Sequence, residues 1–189
     1  GTIPNRPMIY TEAQETERRI QLFKDYQATD EYRKVLIQRL QINDACTTKP
    51  EARGITWNLC ARPDNPAEGC IFFIENFGWT FDPRPQANPN HLPFLMFEYQ
   101  KDLVRWMIDA IDNGHDGLVE KSRDMGVTWI TVWVFLWYWL FKDGVSLLLG
   151  SYKEKLVDDR TDDSIFGRID YGVESLPKWL LPKGFSTSK

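Results

Sequence analysis

Paired cysteines are missing from this sequence. Its three cysteines, Cys46, Cys60 and Cys70, are odd in number and form no C-x-x-C pair, so neither a disulfide framework nor a zinc ribbon is indicated. A metal site that combines them with His91 is conceivable, but no zinc-ligand motif supports it. We therefore expect buried, reduced thiols, as in a cytosolic protein.

Long apolar runs and an excess of positive charge are also missing. The longest apolar run, residues 129–141, has 13 residues, fewer than the roughly 20 that a membrane-spanning helix needs. No signal peptide is recognisable at the start of the chain. The formal net charge of −4 and the pI near 5.3 argue against a protein that coats nucleic acid through bulk charge, although a local basic face remains compatible with them.

The 189 residues contain enough apolar material for one sizeable domain, since 42% of them are hydrophobic. No internal repeat or low-complexity tract occurs. Because residues 129–141 are apolar on all sides, we expect a buried core helix there. Trp129, Trp133 and Trp137 lie four residues apart and would form one packing face of that helix.

The first half of the chain predicts a helical section followed by a hairpin. Residues 11–41 have helical spacing and are rich in charge, which indicates two surface helices. Residues 43–54 are polar and loop-like. Residues 55–60 and 70–75 are short apolar runs separated by a stretch rich in proline and asparagine, and we expect two strands of a hairpin there. A proline-rich passage, 82–93, ends this section.

The second half predicts alternating helices and strands. A helix over 97–113 should end at Gly114. A strand over 117–120, a loop, a helix over 129–142 and a strand over 145–149 would then form a right-handed unit with parallel strands. Shorter helices are expected over 153–160 and 174–181.

The loop between the strand and the long helix has the layout of a phosphate-binding P-loop. Gly126 lies near its end, and Thr128 at the helix start offers a hydroxyl for Mg²⁺. The standard pattern places lysine where Val127 stands, so the strict motif fails, but the ammonium of Lys121 at the loop's beginning could reach the same phosphates. The guanidinium of Arg123 could pair with γ-phosphate oxygens, or could simply be solvated.

A second feature lies upstream, where Tyr99 and Gln100 open the helix before the loop. A glutamine 21 residues before Lys121 could pair with an adenine edge while aromatic neighbours pack the base. The expected fold class is therefore α/β, a P-loop NTPase-like parallel sheet flanked by helices. A small helical and hairpin N-terminal section would precede it, and the expected divisions of the chain are 1–45, 46–93 and 94–189.

Three stretches together resemble the N-terminal part of the large terminase subunit of tailed bacteriophages. They are residues 76–84 (NFGWTFDPR), 93–100 (PFLMFEYQ) and 121–126 (KSRDMG). In that family the loop often reads Ser-Arg-x-x-Gly-Lys-Thr, and some members move the lysine to its beginning, as Lys121 would be here. The resemblance covers roughly residues 72–160.

The resemblance implies an ATPase that drives double-stranded viral DNA into a procapsid in the host cell cytoplasm, with ATP and Mg²⁺ as cofactors. It implies as partners the portal protein, the small terminase subunit and further copies of the chain in a ring, and no membrane. An arginine would complete the neighbouring subunit's site, and we favour Arg160 over Arg168 because the helix over 153–160 would hold it.

The implied nucleotide-binding residues are Tyr99, Gln100, Lys121, Ser122, Arg123, Asp124, Met125, Gly126, Val127 and Thr128. Among these Lys121 and Arg123, together with Arg160, would be catalytic, and Thr128 would bind the metal.

One departure from the family matters for activity. After Leu149 no run of four apolar residues followed by Asp-Glu occurs, so the Walker B strand that would hold Mg²⁺ and activate water is missing. We expect the first part of a longer ATPase, with a nuclease domain beyond it, and little hydrolysis by this chain alone. The alternatives are a helicase-like P-loop ATPase and a non-catalytic interaction module with a vestigial loop.

Overall fold

The computed structural model describes residues 29–81, 90–121, 125–159, 161 and 164–185, together with Gln21 and Asp25. This part of the chain is mostly helical, with seven helices and one small antiparallel sheet. In chain order the elements are α1 (Asp30–Thr48), α2 (Pro50–Ala61), α3 (Pro66–Phe77), β1 (Trp79–Phe81), β2 (His91–Pro93), α4 (Glu98–Asn113), α5 (Val127–Phe141), α6 (Glu154–Val157) and α7 (Ile165–Ser175). None of these helices is long and apolar enough to cross a membrane.

Residues 55–60 and 70–75 belong to helices α2 and α3, so the predicted hairpin is wrong. Proline opens both helices, at the position where its missing N–H would have no intrahelical partner in any case. The side chain of Asn65 caps α3 by accepting a hydrogen bond from Glu68 N at 3.4 Å. The proline and asparagine residues between the two runs therefore mark helix ends and not a hairpin loop.

The burial pattern of α3 follows the helical period. Its buried apolar side chains are Cys70, Ile71, Phe73, Ile74 and Phe77, which recur at the three- and four-residue spacing of one helix face. Gly69 lets the end of α2 approach this helix, because a Cβ at that position would lie 2.5 Å from the carbonyl oxygen of Cys60. The predicted loop over 43–54 is also wrong, since α1 continues to Thr48 and α2 begins at Pro50.

Helix α5 is the centre of the core, as its apolar sequence predicted. Eight of its fifteen residues are buried: Ile130, Val132, Trp133, Val134, Leu136, Trp137, Tyr138 and Leu140. Helices α3, α4 and α7 pack around it. The expected core helix over 129–142 is confirmed, and Trp133 and Trp137 are fully buried on the predicted packing face.

The polar atoms on the buried aromatic side chains of α5 all have partners. The indole N–H of Trp133 donates to the carbonyl of Trp79 at 2.9 Å, and that of Trp137 donates to the carbonyl of Cys60 at 2.8 Å. The Tyr138 hydroxyl donates to the Asp112 carboxylate at 2.8 Å. Because unpaired polar atoms would be costly in a dry core, these bonds fix the position of α5 relative to its neighbours.

The expected parallel sheet is absent from the described residues, and the α/β fold class is corrected to a mostly helical one. The described strands β1 and β2 pair antiparallel, with Thr80 opposite Leu92. Residues 117–120 and 145–149 are irregular, and Leu118 and Leu148 are each 94% exposed. Parallel strands are stable when both faces are covered, and here the side chains of Leu118 and Leu148 have no cover.

Of the three other helices predicted in the second half of the chain, one is confirmed and two have different bounds. The helix over 97–113 is confirmed as α4, which ends at Gly114 in the left-handed region, with a φ of +68°. The helix expected over 153–160 is only the four-residue α6. In place of a helix over 174–181, α7 spans Ile165–Ser175 and begins at Ser164, whose hydroxyl caps it by accepting from Gly167 N at 3.1 Å.

Arg39 of α1 is a buried cation that closes the C-terminal end of α3. Its guanidinium donates from Nη1 to the Gly78 carbonyl at 2.7 Å and from Nη2 to the Glu75 carbonyl. It also lies 5.3 Å from the ring centroid of Trp79. Carbonyls at a helix C-terminus lack intrahelical donors and have partial negative charge. Arg39 supplies donors and a compensating charge there, and the Phe94 N–H also donates to the Gly78 carbonyl at 2.8 Å.

Replacing Arg39 with alanine should lower the free energy of unfolding by about 3 kcal/mol, because two hydrogen bonds from a charged donor are lost in the interior. The matched control is Arg33→Ala on the same helix, whose 3.8 Å ion pair with Asp30 joins exposed side chains and should contribute less than about 0.5 kcal/mol. Urea titration followed by circular dichroism measures both variants. Equal losses would contradict the capping role.

The three cysteines are free and fully buried, and burial raises the pKa of the Cys60 and Cys70 thiols. A raised pKa suppresses the thiolate, which is the form that reacts with alkylating reagents. At about pH 8 the folded chain should therefore resist iodoacetamide, whereas in denaturing urea all three cysteines should be modified. Mass spectrometry counts the added groups. Alkylation of Cys60 or Cys70 in the folded chain at the denatured rate would contradict the burial.

Candidate functional site

Helix α5 begins at a glycine turn. Gly126, the residue before Val127, has a φ of +77°, in the left-handed region that favours glycine. Among the described residues no side chain caps this helix, and its first regular bond runs from Ile130 N to the Gly126 carbonyl at 3.0 Å. The free amides of a helix start, at the positive end of the helix dipole, form a group that can bind phosphate.

Gln100 joins this turn to the start of α4. Its Oε1 accepts a hydrogen bond from Phe97 N at 2.9 Å, and its Nε2 donates to the Met125 carbonyl at 3.0 Å. The side chain is only 5% exposed. Two segments 25 residues apart in sequence, both singled out by their residue types, are therefore in direct contact, although the adenine contact expected of Gln100 stays a prediction.

Two aromatic rings lie exposed beside Gln100. Phe97 is 66% exposed and Tyr99 is 47% exposed. Their rings are nearly parallel, at 9°, with centroids 5.7 Å apart. Exposed, stacked rings at the edge of a polar site can pack against the flat face of a nucleobase. Sequence reasoning selected Tyr99 but not Phe97, because Phe97 reads as the residue that begins the helix.

The other end of the loop, Lys121, is exposed. It follows an irregular segment that is held at Gly117, where a Cβ would lie 2.1 Å from the Trp106 ring. No ion pair is formed by Lys121 within the described ranges, so its ammonium is available to an anion. Glu120 beside it is exposed as well.

Thr128 is the second residue of α5 and is exposed. Its hydroxyl makes no hydrogen bond to another described residue, unlike that of Thr131, which donates to the Val127 carbonyl at 2.9 Å. An exposed hydroxyl at a helix start is compatible with binding Mg²⁺ that arrives with a triphosphate. Ser122, Arg123 and Asp124, which complete the predicted loop, lie outside the described residues.

The helix expected to hold Arg160 stops short of it, since α6 ends at Val157. Arg160 itself lies outside the described residues. Next to it, Asp159 accepts hydrogen bonds from the hydroxyl and the amide of Thr161, at 2.6 and 2.9 Å, and these bonds lower the pKa of its carboxyl. The reason for preferring Arg160 over Arg168 therefore fails.

Arg168 lies in α7 and reaches the first turn of α5. Its guanidinium is 5.3 Å from the ring centroid of Trp129. Tyr171 meets the same indole edge-on at 5.5 Å and stacks on His91 at 5.6 Å. Sequence reasoning placed Arg168 in a turn and missed this aromatic group, because a helix N-cap at Ser164 was not recognised.

Comparisons of the chain with protein-family models, with curated protein sequences and with solved structures each find no match. The functional interpretation therefore depends on the residues themselves and on the contact between Gln100 and the glycine turn.

Replacing Gly126 with alanine should destabilise the chain by about 2 kcal/mol. Roughly half comes from the left-handed backbone and half from a displaced Gln100 amide, since the new Cβ would lie 2.8 Å from Gln100 Nε2. Gly144→Ala is the matched control, with a φ of +71° and nothing within 4 Å of its Cβ, and should lose only the backbone share of about 1 kcal/mol. Urea unfolding compares the two, and equal losses would rule out a tight contact at Gln100.

Proposed function

We propose that this chain is the ATP-binding portion of a viral DNA-packaging motor of the large terminase type. The observation that carries the proposal is the contact between Gln100 and the Met125–Gly126 turn. It brings the segment expected to receive a base next to the segment expected to receive phosphate. The family rests on the sequence resemblance alone.

The residues present fit a nucleoside triphosphate. The uncapped amides at the start of α5 and the ammonium of Lys121 supply positive charge for phosphate oxygens. The exposed rings of Phe97 and Tyr99 offer a face for the base. Bound Mg²⁺ would offset phosphate charge, with the Thr128 hydroxyl as its one protein ligand among the described loop residues. Each group would act on a different part of the ligand.

The motor activity requires more than binding. A Walker B carboxylate pair is missing from the sequence between Leu149 and Lys189, and hydrolysis depends on such a pair to hold the metal and orient water. We therefore expect binding by this chain and hydrolysis only with the missing residues supplied. Hydrolysis that depends on double-stranded DNA and a portal would distinguish packaging from helicase-like unwinding.

A second candidate function is a non-catalytic interaction module in which the loop is vestigial. The observation that favours it is the absence of a parallel sheet behind α5 in the described residues. In that case residues 117–120 and 145–149, which expose the side chains of Leu118 and Leu148, would belong to a protein contact instead of a nucleotide site.

Nucleotide binding separates the two candidates. The 189-residue chain should bind Mg²⁺-ATP in a calorimetric titration, and Lys121→Ala should weaken binding about tenfold or more, because a charge-assisted hydrogen bond to phosphate is worth ~1.4 kcal/mol or more. Lys178 is an exposed lysine that follows α7 in the sequence, and Lys178→Ala should leave binding unchanged. Absence of ATP binding by the folded wild-type chain would favour the interaction module. Equal affinity in the two lysine variants would remove Lys121 from the site.

A further inference from the structure

Within the described part of the chain, the buried polar side chain of Gln100 connects the two halves of the proposed site. We infer that it is a positioning residue, which holds the phosphate-binding turn in place and does not read the nucleotide base. The inference rests on the proposed function, because it names what aligns the turn for a triphosphate.

The geometry of one peptide unit supports this role. The peptide between Met125 and Gly126 is planar and trans, so its C=O and its N–H point in opposite directions. The Met125 carbonyl is held toward Gln100 Nε2 at 3.0 Å. The Gly126 N–H is therefore directed away from the Gln100 amide, so this side chain fixes the direction of a backbone donor next to the uncapped start of α5.

The other end of the amide is anchored equally firmly. Oε1 accepts from the Phe97 backbone N–H at 2.9 Å, at the residue that precedes α4, and the first turn of that helix holds this backbone in place. Gly126 is required at the contact, since any Cβ would lie 2.8 Å from Nε2. One side chain thus connects two backbone segments, so a substitution of Gln100 directly affects the turn.

The same bonds argue against base reading. With 5% of its surface exposed, Gln100 offers almost no surface at which a base edge could reach the remaining N–H and lone pair of its amide. Turning the amide outward toward a base would release Met125, and the turn would then lose its anchor. The exposed pair Phe97 and Tyr99 can contact a base by stacking, which tolerates any base. Base contact and turn alignment are therefore assigned to different residues.

The test uses an amide-to-carboxylate change at two matched sites. Gln100→Glu keeps an acceptor for Phe97 but places an oxygen against the Met125 carbonyl. Asn76→Asp makes the same change on α3, where Asn76 is 8% exposed and its Nδ2 donates to the Phe72 carbonyl at 2.8 Å. Gln100→Met, of similar length and uncharged, is the second variant should the glutamate disturb folding.

Binding of Mg²⁺-tripolyphosphate, Mg²⁺-ATP and Mg²⁺-GTP to the 189-residue chain is measured by calorimetry. Both Gln100 variants should weaken all three ligands by the same factor, about tenfold for one lost turn anchor, with the ratio of ATP to GTP affinity unchanged. Asn76→Asp should bind as wild type does. Loss of ATP binding with tripolyphosphate unaffected would show base reading and overturn the inference, as would wild-type binding by both Gln100 variants.

If the wild-type chain binds none of the three ligands, the proposed function is refuted. A second measurement then tests the positioning role of Gln100. Hydrogen exchange of the Ile130 amide, which donates to the Gly126 carbonyl at 3.0 Å, reports on the turn directly. Faster exchange in Gln100→Met than in wild type and Asn76→Asp supports the role. Unchanged exchange overturns it, whatever the chain binds.

Discussion

Burial of α5 is the constraint on which the rest of this structure depends. A helix this rich in apolar side chains must be covered over most of its surface. Helices α3, α4 and α7 cover it and leave Trp139 partly exposed. Its two buried indoles reach out of the helix to carbonyls at Trp79 and Cys60. Those carbonyls lie at the start of β1 and near the end of α2, so the two bonds attach these parts of the neighbouring elements to α5.

The candidate site is rigid because it is attached to this core. The glycine turn leads directly into α5, and Gln100 connects it to α4, another helix packed on the same core. A ligand at the turn would therefore meet amides whose direction is set by two packed helices. The flexible part of recognition is left to exposed side chains such as Lys121 and Tyr99.

Sequence reasoning predicted the two helices with the strongest patterns and failed where patterns were ambiguous. The apolar run of α5 and the amphipathic period of α4, closed by Gly114, each allow one interpretation. The short apolar runs now seen in α2 and α3 fit either a strand or a helix, and the deciding signals were the caps at Asn65 and Pro66.

The same limits apply to the site. The grouping of Gln100 with the loop was predicted from residue types, and the contact with Met125 is observed. The bond that turns Gln100 inward was not predictable, because it depends on where two helix ends meet in space. The parallel sheet failed for a similar reason: strand-like composition around Leu118 and Leu148 says nothing about whether a partner covers them.

The cover that α7 gives to α5 also constrains the order of events on the ribosome. Helices α1 to α4 are synthesised before it, but α7 and the buried Leu180 come after it. At ordinary rates of translation, the 39 residues from Phe141 to Leu180 take about 2 to 8 seconds to add. During that interval α5 is complete but the face that α7 covers is not yet covered, so this helix can reach its final packing only after the residues up to Leu180 have been added.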